Sequence, residues 1–293
     1  MNYLREVNIE NQNQYIYNLV SIEKKPLTLE QTRKVLEYCR ISNKNYWKPK
    51  EITDIQNAVN YPNSCLSEKD INEILGLKDA VDYLYSVLLR KEKRISEDVI
   101  LKLHCLALER VNPEESGRYR RIWLTAGGHE APHPLKVESL MKKFITWLNS
   151  DDARRLHTID YAALAHFKLM SILPFVDGNR KVSSLLMNLI LVKDNYPLVV
   201  IKASKITEYC QAIRDGQLGD VRPFIRFIAQ EVEDTLDFFL SSRANRQLQV
   251  KFVNSKTKLL AFHQLLQSYG KNINKNVQRY TPSKTVREVG YDS

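Results

Sequence analysis

The sequence has no long apolar run, few glycines and few cysteines. Its 293 residues contain nine glycines and four cysteines, and no stretch approaches the roughly 20 apolar residues that a helix needs to cross a bilayer. The N-terminal M-N-Y-L-R-E-V-N-I-E-N-Q-N-Q is polar and of mixed charge, unlike a signal peptide or a transit segment. We therefore expect no membrane association, and the cytoplasm is the default location.

The four cysteines, Cys39, Cys65, Cys105 and Cys210, are scattered and form no C-x-x-C pair. No histidine stands near them at the spacing of a metal site. This arrangement predicts free thiols in a reducing compartment and no structural zinc.

The excess of positive charge is confined to the C-terminal tail. From Ser241 onward there are ten Lys or Arg residues and two acids, which accounts for +8 of the net charge of +10. The preceding 240 residues are therefore nearly neutral. A basic tail is usually solvated surface, so we expect no nucleic-acid binding, although nucleic acid or an acidic partner remains an alternative for this segment.

Apolar periodicity predicts a mainly helical chain. Thr28 and Gln31 have the spacing of a capping box at the start of a helix over Leu27–Glu37. The stretch R-Y-R-R-I-W-L-T-A-G-G-H-E-A-P-H-P favours a short β-hairpin, and residues 45–64 read as an irregular insertion. Further helices are predicted at about 68–91, 96–110, 135–150, 158–172, 179–194, 205–215 and 222–242.

The turn at residues 177–179 has residue types that could bind a phosphate and a metal ion. Asp177, Gly178 and Asn179 lead directly into the apolar helix V-S-S-L-L-M-N-L-I-L. The unpaired N–H groups at a helix N-terminus favour anions, Gly178 would let the backbone approach a phosphate, and Asp177 could hold a magnesium ion. An Asp or Asn before an apolar run is also an ordinary helix cap, and the local pattern alone favours the cap.

The residues around this turn resemble a known family. Leu173 to Ser184, L-P-F-V-D-G-N-R-K-V-S-S, resembles the signature H-P-F-x-D-G-N-G-R-x-x-R of the Fic (Fido) family. Five further blocks resemble its metazoan endoplasmic-reticulum branch: E-E-S-G-R-Y-R, A-P-H-P, A-A-L-A-H-F-K-L, S-L-L-M-N-L-I-L and G-D-V-R-P-F-I-R-F-I-A. Upstream, Y-I-Y-N-L-V-S-I-E resembles that branch's inhibitory helix. The resemblance implies a mainly α fold, a Fic/Fido helical core with a short β-hairpin flap.

The resemblance also implies a reaction, the transfer of AMP from Mg-ATP to a Ser, Thr or Tyr hydroxyl of a protein. ATP and Mg²⁺ are thus the implied cofactors, an Hsp70-type chaperone is the implied target, and a homodimer is among the expected assemblies. In the family the motif His is the general base, the acidic residue holds the metal and the glycine-rich backbone stabilises phosphate charge. The implied metal ligand is Asp177, and the implied nucleotide-binding positions are Gly178, Asn179, Arg180, Lys181, Ser184 and Tyr209.

Four motif positions depart from the family pattern. Leu173 stands at the position of the catalytic His, and a hydrocarbon cannot accept a proton. Arg180 replaces the second glycine, Lys181 replaces the first arginine and loses its bidentate fork, and Ser184 replaces the last arginine. Because loss of a general base typically lowers a rate roughly 100- to 10,000-fold, these changes predict a protein whose AMP-transfer activity is lost or strongly reduced.

Two regulatory elements are implied by the same resemblance. Glu23 occupies the position of the inhibitory glutamate, whose usual arginine partner is here Ser184. The flap segment expected to position a target consists of Thr125, Ala126, Gly127, Gly128 and His129. Tyr209 lies one residue before the position of an adenine-contacting tyrosine.

Four further histidines are candidates for the role of the missing base. His166 and His104 lie on amphipathic helices and are read as structural, whereas His129 and His133 flank the flap. His129 is the better of these two candidates. We keep two function classes: a pseudoenzyme that retains the fold and some nucleotide binding, and an active transferase or de-AMPylase with a non-standard base.

The chain divides into four predicted segments. They are a polar N-terminal segment (1–14), a lead-in with the inhibitory-helix-like region and the irregular insertion (15–95), the Fic core (96–240) and the basic tail (241–293).

Overall fold

The computed structural model describes residues 2–21, 27–42, 53–56, 66–89, 94–126 and 129–241. The described chain is predominantly helical, in agreement with the predicted fold class. Its α-helices, numbered in chain order, are α1 (Asn2–Ser21), α2 (Leu29–Ser42), α3 (Glu68–Leu89), α4 (Glu97–Leu108), α5 (Val137–Leu148), α6 (Asp151–Arg154), α7 (Thr158–Ile172), α8 (Asn179–Lys193), α9 (Ile206–Gln217) and α10 (Arg222–Ser241).

Helix α8 lies at the centre of the fold. Every residue from Lys181 to Leu191 is buried, because α7, α4 and α3 all pack against it. A helix that is apolar on nearly all sides is stable only when it is surrounded by protein, and S-L-L-M-N-L-I-L has this character. Helix α10 covers α7 and α9 on one side, and α1 contacts α2 and α3 on the other.

Helix α1 was not predicted as one element, and it runs through the expected boundary at residue 14. Its inner face mixes the buried apolar side chains of residues 16, 19 and 20 with polar ones: Asn11 Nδ2 donates to Leu198 O (3.0 Å), and Asn18 Oδ1 accepts from the backbone N–H of Ala203 (2.8 Å). Tyr15 lies between them on the same face and is buried. Because these contacts replace apolar ones, the periodicity that identifies an amphipathic helix is weak here.

Most other predicted helices agree with the structure to within a turn, and α7 has the predicted bounds, but α2 continues to Ser42, beyond the predicted end at Glu37. The capping box is confirmed: the backbone N–H of Gln31 donates to Thr28 Oγ1 (3.2 Å), and the N–H of Thr28 donates to Gln31 Oε1 (2.9 Å). The basic tail beyond Ser241 and most of the insertion at 45–64 lie outside the described residues.

Two short strands follow α4. Thr125–Ala126 (β1) and His129–Glu130 (β2) pair antiparallel, with Thr125 opposite Glu130. The pairing continues at its base, where the N–H of Ala131 donates to Leu124 O (2.9 Å). Gly127 and Gly128, between the strands, lie outside the described residues.

Cys39, Cys105 and Cys210 are free, as predicted from their spacing. No group of three metal-ligating side chains occurs within the described ranges. Of the helices described, none is long and apolar enough to span a membrane.

Candidate functional site

The motif loop, residues 173–178, connects the C-terminus of α7 to the N-terminus of α8. Leu173 closes α7 in the left-handed conformation, with φ 47° and ψ 59°, and its N–H donates to Leu169 O (3.0 Å). Its side chain is buried. A left-handed residue other than glycine costs roughly 1–2 kcal/mol, so the surrounding contacts must hold this geometry. The backbone turn at the position of the family's general base is therefore present, but the side chain at that position is a buried hydrocarbon.

Gly178 opens α8 with φ 76°, a conformation that favours glycine. A Cβ atom there would lie 2.5 Å from Cδ1 of Leu108 on α4, so the buried Leu108 side chain would have to move to admit one. The backbone N–H of Gly178 donates to Oδ1 of Asp177 (2.6 Å). Glycine at this position thus has structural causes that are independent of any phosphate. Neither Asp177 nor Asn179 acts as the N-cap, in contrast to the local sequence interpretation.

Asn179 closes the motif loop on itself. Its Oδ1 accepts from the backbone N–H of Phe175 (3.0 Å), and its Nδ2 donates to Phe175 O (2.7 Å). The side chain is buried and both polar atoms are satisfied within the loop. Asn179 consequently fixes the shape of the loop through its side chain and would offer a ligand only its backbone.

His104 on α4 holds the motif loop through a hydrogen bond and a ring contact. Its Nδ1 accepts from the N–H of Gly117 (2.9 Å), so the proton resides on Nε2, which donates to Asp177 O (3.0 Å). The imidazole stacks on the ring of Phe175 at 3.7 Å. Burial lowers the pKa of His104 to about 4. The prediction that His104 is a structural histidine is borne out by this geometry.

Arg120 ties the motif loop to the segments on both sides of the β-hairpin. Its Nε donates to Leu173 O (2.7 Å), Nη1 donates to Ile122 O (2.9 Å), and Nη2 donates to Pro132 O (2.6 Å). Its own N–H donates to Pro174 O (2.9 Å). The side chain is 2% exposed. A guanidinium at the C-terminus of α7 also complements the negative end of the helix dipole.

Lys181, at the position of the first motif arginine, forms a buried ion pair. Its Nζ lies 2.5 Å from Oε1 of Glu73 on α3, and the two side chains are 3% and 2% exposed. Desolvating two charges is costly, and close pairing offsets that penalty. The ammonium is thus directed into the protein, toward α3.

Ser184, at the position of the last motif arginine, contacts α1. Its hydroxyl lies 3.1 Å from the hydroxyl of Tyr15, and both residues are buried. Asn188, one turn further along α8, bonds to the Ser184 carbonyl (3.2 Å) and to the backbone of Val199. These contacts join α1, α8 and the segment after α8 through uncharged side chains.

Tyr209 and His166 form part of the core beside Arg180. The Tyr209 hydroxyl lies 2.8 Å from Nε2 of His166, and the Tyr209 ring packs against Phe224 and Phe227. Burial, assisted by the nearby charge of Arg180, lowers the pKa of His166 to about 3. His166 is thus a packed structural histidine, as predicted, and the Tyr209 side chain is engaged inside the protein.

The profile of the Fic/DOC family matches residues 94–191, a range that includes α4, the hairpin, α7, the motif loop and most of α8. Residues 94–191 form a Fic domain. The match extends beyond these residues in individual relatives.

Curated relatives carry the name protein adenylyltransferase Fic. The Drosophila melanogaster protein is 38% identical over 247 residues, which cover 84% of this chain and 46% of the relative. The Drosophila virilis protein is 39% identical over 247 residues, with 84% and 46% covered. The chain therefore spans about half the length of the curated relatives it matches. It is a Fic-domain protein related to protein adenylyltransferases.

Solved structures agree with this assignment. A fragment of Fic-1 from C. elegans superimposes with a TM-score of 0.65 at 31% identity, covering 80% of this chain and 64% of the fragment. A Fic domain containing signaling protein from Bacteroides thetaiotaomicron has a TM-score of 0.67 at 22% identity, covering 80% of this chain and 87% of that one. The second comparison concerns the fold alone.

The structure places only some of the predicted site residues close to one another. Asp177, Gly178, Asn179, Arg180 and Lys181 are consecutive at the loop and the start of α8, and Ser184 follows one turn later. Of the predicted flap, Thr125 is exposed, and the position of Gly127 and Gly128 is outside the described residues, as is that of Glu23. The roles assigned to Glu23 and to the flap stay predictions.

Three residues that shape the site were not singled out from the sequence: Glu73, Tyr15 and Arg120. Each acts across a large separation; Glu73 lies 108 positions before Lys181, and Arg120 lies 53 positions before Leu173. Glu73 interrupts the apolar stretch I-N-E-I-L-G-L, and such an isolated acid is the kind of signal that could have marked it.

Proposed function

We propose that this Fic-domain protein has lost, or retains only at a strongly reduced level, the transfer of AMP, and that it acts as a binding or regulatory module. The observation that carries the proposal is the Lys181–Glu73 pair. Phosphate transfer requires cationic groups directed at the developing negative charge. In this chain the cation at the first motif arginine position is matched by a buried carboxylate 2.5 Å away.

Two further positions support the same conclusion. The side chain of Leu173 is buried and has no basic atom, so the position of the family's general base contributes no proton transfer. Ser184 is neutral, buried and bonded to Tyr15, so it supplies no clamp for a γ-phosphate. Three of the four positions of the motif that carry reactive or charged groups in the family thus serve contacts within this protein.

Residual nucleotide binding is the second half of the proposal. The exposed carboxylate of Asp177 fits a magnesium ion, because Mg²⁺ bound with a nucleotide takes one or two protein carboxylates and obtains its other ligands from phosphate and water. The N-terminus of α8 would face the phosphates with the positive end of its dipole. When bound, the metal would neutralise phosphate charge, while Asn179 and His104 would keep the loop in shape.

The alternative, an active transferase with a substitute base, has no support from the described histidines. His104 and His166 are buried and hold structural contacts. His133 is exposed, but its Nδ1 accepts from the N–H of Leu135 (3.1 Å) and its ring contacts Trp123. The His129 side chain belongs to the undescribed part of the hairpin. If the wild type proved active, His129 would be the candidate for the substitute base.

The test is incubation with ATP labelled at the α-phosphate, with and without Mg²⁺. Wild type is compared with Leu173→His/Arg180→Gly and with the full repair that adds Lys181→Arg and Ser184→Arg. We expect a silent wild type, and labelling by a repaired variant would support the site assignment. Robust magnesium-dependent self-labelling by wild type would overturn the proposal. A thermal-shift titration with Mg-ATP measures nucleotide binding separately.

A further inference from the structure

Lys168 on α7 is a partly buried lysine that lies against an aromatic ring. Its Nζ is 4.8 Å from the centre of the Trp147 ring on α5. No hydrogen bond or ion pair joins this amine to another residue of the part of the chain that the structure describes. An ammonium that is withdrawn from water is normally paired with a carboxylate, so Lys168 departs from the usual arrangement.

The other lysines of the described chain that are withdrawn from water show this usual arrangement. Each of them forms an ion pair: Lys34 with Glu30, Lys78 with Asp82, Lys181 with Glu73, and Lys205 with Glu231 and Asp234. A neighbouring carboxylate keeps the proton on the amine and so withholds its lone pair from reaction. Lys168 therefore differs from these lysines in its chemistry as well as in its contacts.

The surroundings of Lys168 favour the neutral amine. The indole ring of Trp147 attracts a cation, but less strongly than a carboxylate at ion-pair distance does. Burial lowers the pKa of Lys168, and no charged neighbour opposes that effect. A larger fraction of this amine than of an exposed lysine is consequently neutral near pH 7, and the neutral amine is the nucleophile.

The amine remains accessible to a small reagent. Lys168 and Trp147 are both partly exposed. The Trp147 ring is held in place by the rings of Phe144 and Tyr161, whose centroids lie 6.1 Å and 5.9 Å away. The Tyr161 hydroxyl donates to Leu148 O (2.7 Å). A fixed apolar surface thus lies beside a nucleophilic nitrogen.

We propose that Lys168 is a site of covalent acylation by activated acyl donors of the thioester class. The lone pair of Nζ attacks the carbonyl carbon and forms a C–N bond, the C–S bond breaks, the sulfur leaves as a thiolate, and the proton of the attacking nitrogen passes to water. The amide product carries no charge, so the contact between a cation and Trp147 is lost. The inference does not rest on the proposed function, because neither Mg-ATP nor the motif loop takes part.

The test measures acetylation of each lysine in the folded full chain by S-acetyl-N-acetylcysteamine. After a short reaction the chain is unfolded, and the remaining amines are acetylated with deuterated acetic anhydride. Mass spectrometry of the peptides then gives the modified fraction at every lysine. At pH 7.5 we expect Lys168 to react roughly threefold faster, or more, than the exposed Lys142 and Lys143 on α5. At pH 10.5 the ratio should fall to about one or below, because exposed amines are then also largely neutral.

Leu164, one turn before Lys168 on α7, allows a matched pair of variants. Leu164→Glu introduces a carboxylate at the spacing that favours an ion pair with a lysine four residues later. Leu164→Gln removes the same partly buried apolar side chain and adds no charge. We expect Leu164→Glu to reduce the acetylation rate of Lys168 to that of the exposed lysines or below, and Leu164→Gln to leave it above them. Melting temperatures show whether both variants are folded.

Three outcomes would contradict the inference. They are acetylation of Lys168 no faster than that of Lys142 and Lys143 at pH 7.5, a rate ratio that does not fall at pH 10.5, and equal rates in folded Leu164→Glu and Leu164→Gln. The first two need only the wild type, so they decide the matter even if a variant does not fold. In urea the preference for Lys168 should disappear, and a preference that persists would assign it to the local sequence instead of the fold.

Discussion

The ammonium of Lys181 lies 2.5 Å from a carboxylate oxygen of Glu73, and both groups are shielded from water. The pair joins α8 to α3 at the third residue of α8. The cation at a position that is expected to bind a ligand therefore forms a structural contact between two helices.

Removal of one partner of this pair should be strongly destabilising. Glu73→Gln leaves the Lys181 charge buried without its carboxylate, and we expect a loss of about 3–5 kcal/mol in the free energy of unfolding. The double variant Glu73→Met/Lys181→Met, which buries no charge, should lose much less. Urea denaturation measures both. Asp82→Asn is a matched control, because its pair with Lys78 is half exposed and should contribute below about 1 kcal/mol. Equal losses for the single and double variants would contradict this account.

The contact between Tyr15 and Ser184 should behave as one interaction. Tyr15→Phe and Ser184→Ala each remove one hydroxyl of a buried pair and should cost about 1 kcal/mol. The double variant should cost clearly less than the two single losses added together, because both remove the same bond. Additive losses would show that the hydroxyls are independent. Ser184→Arg should be more destabilising than Ser184→Ala, since it places a large cation where α1 meets α8.

Gly178 should not tolerate a side chain even if no phosphate is ever bound. Gly178→Ala combines a left-handed φ with a Cβ that meets Leu108, and it should destabilise by about 1–3 kcal/mol. Adding Leu108→Val removes the nearest methyl groups and should recover the steric part of that loss. Chemical denaturation of the four proteins in this cycle gives the coupling. Zero coupling would mean that backbone strain alone accounts for the glycine.

His166 should make the protein acid-sensitive. Its folded-state pKa is lowered to about 3 by burial and by the charge of Arg180, whereas the unfolded chain takes up the proton near the ordinary value of 6.5. Below pH 6.5 the unfolded state binds more protons, so stability falls with acidification. Between pH 7.5 and pH 5 this histidine should account for about 2 kcal/mol. Unfolding of wild type and His166→Gln at both pH values measures the difference, and an unchanged pH dependence in the variant would exclude this role.

Local signals predicted local structure well. The bounds of α7 and the Thr28–Gln31 capping box both depend on residues within a few positions of one another. Apolar periodicity did not predict helix α1 as one element, because Asn11, Tyr15 and Asn18 interrupt the buried apolar residues of its inner face.

The use of the motif side chains could not be predicted from the motif. Replacement of a histidine by Leu173 is visible in the sequence, but the pairing of Lys181 with Glu73 depends on how α3 crosses α8. The same holds for Arg120, whose acceptors come from three separate segments. Such contacts follow from tertiary structure and have no short-range pattern.

The guanidinium of Arg120 limits how segments can be exchanged between Fic domains in a chimera. The hairpin base and the motif loop share one hydrogen-bonding group, so the geometry of each depends on the other. A hairpin transplanted without its arginine would leave carbonyl groups of the loop unbonded, and a transplanted loop would do the same to the hairpin. Chimeras designed at the hairpin boundary should therefore cut before Arg120 and not after it.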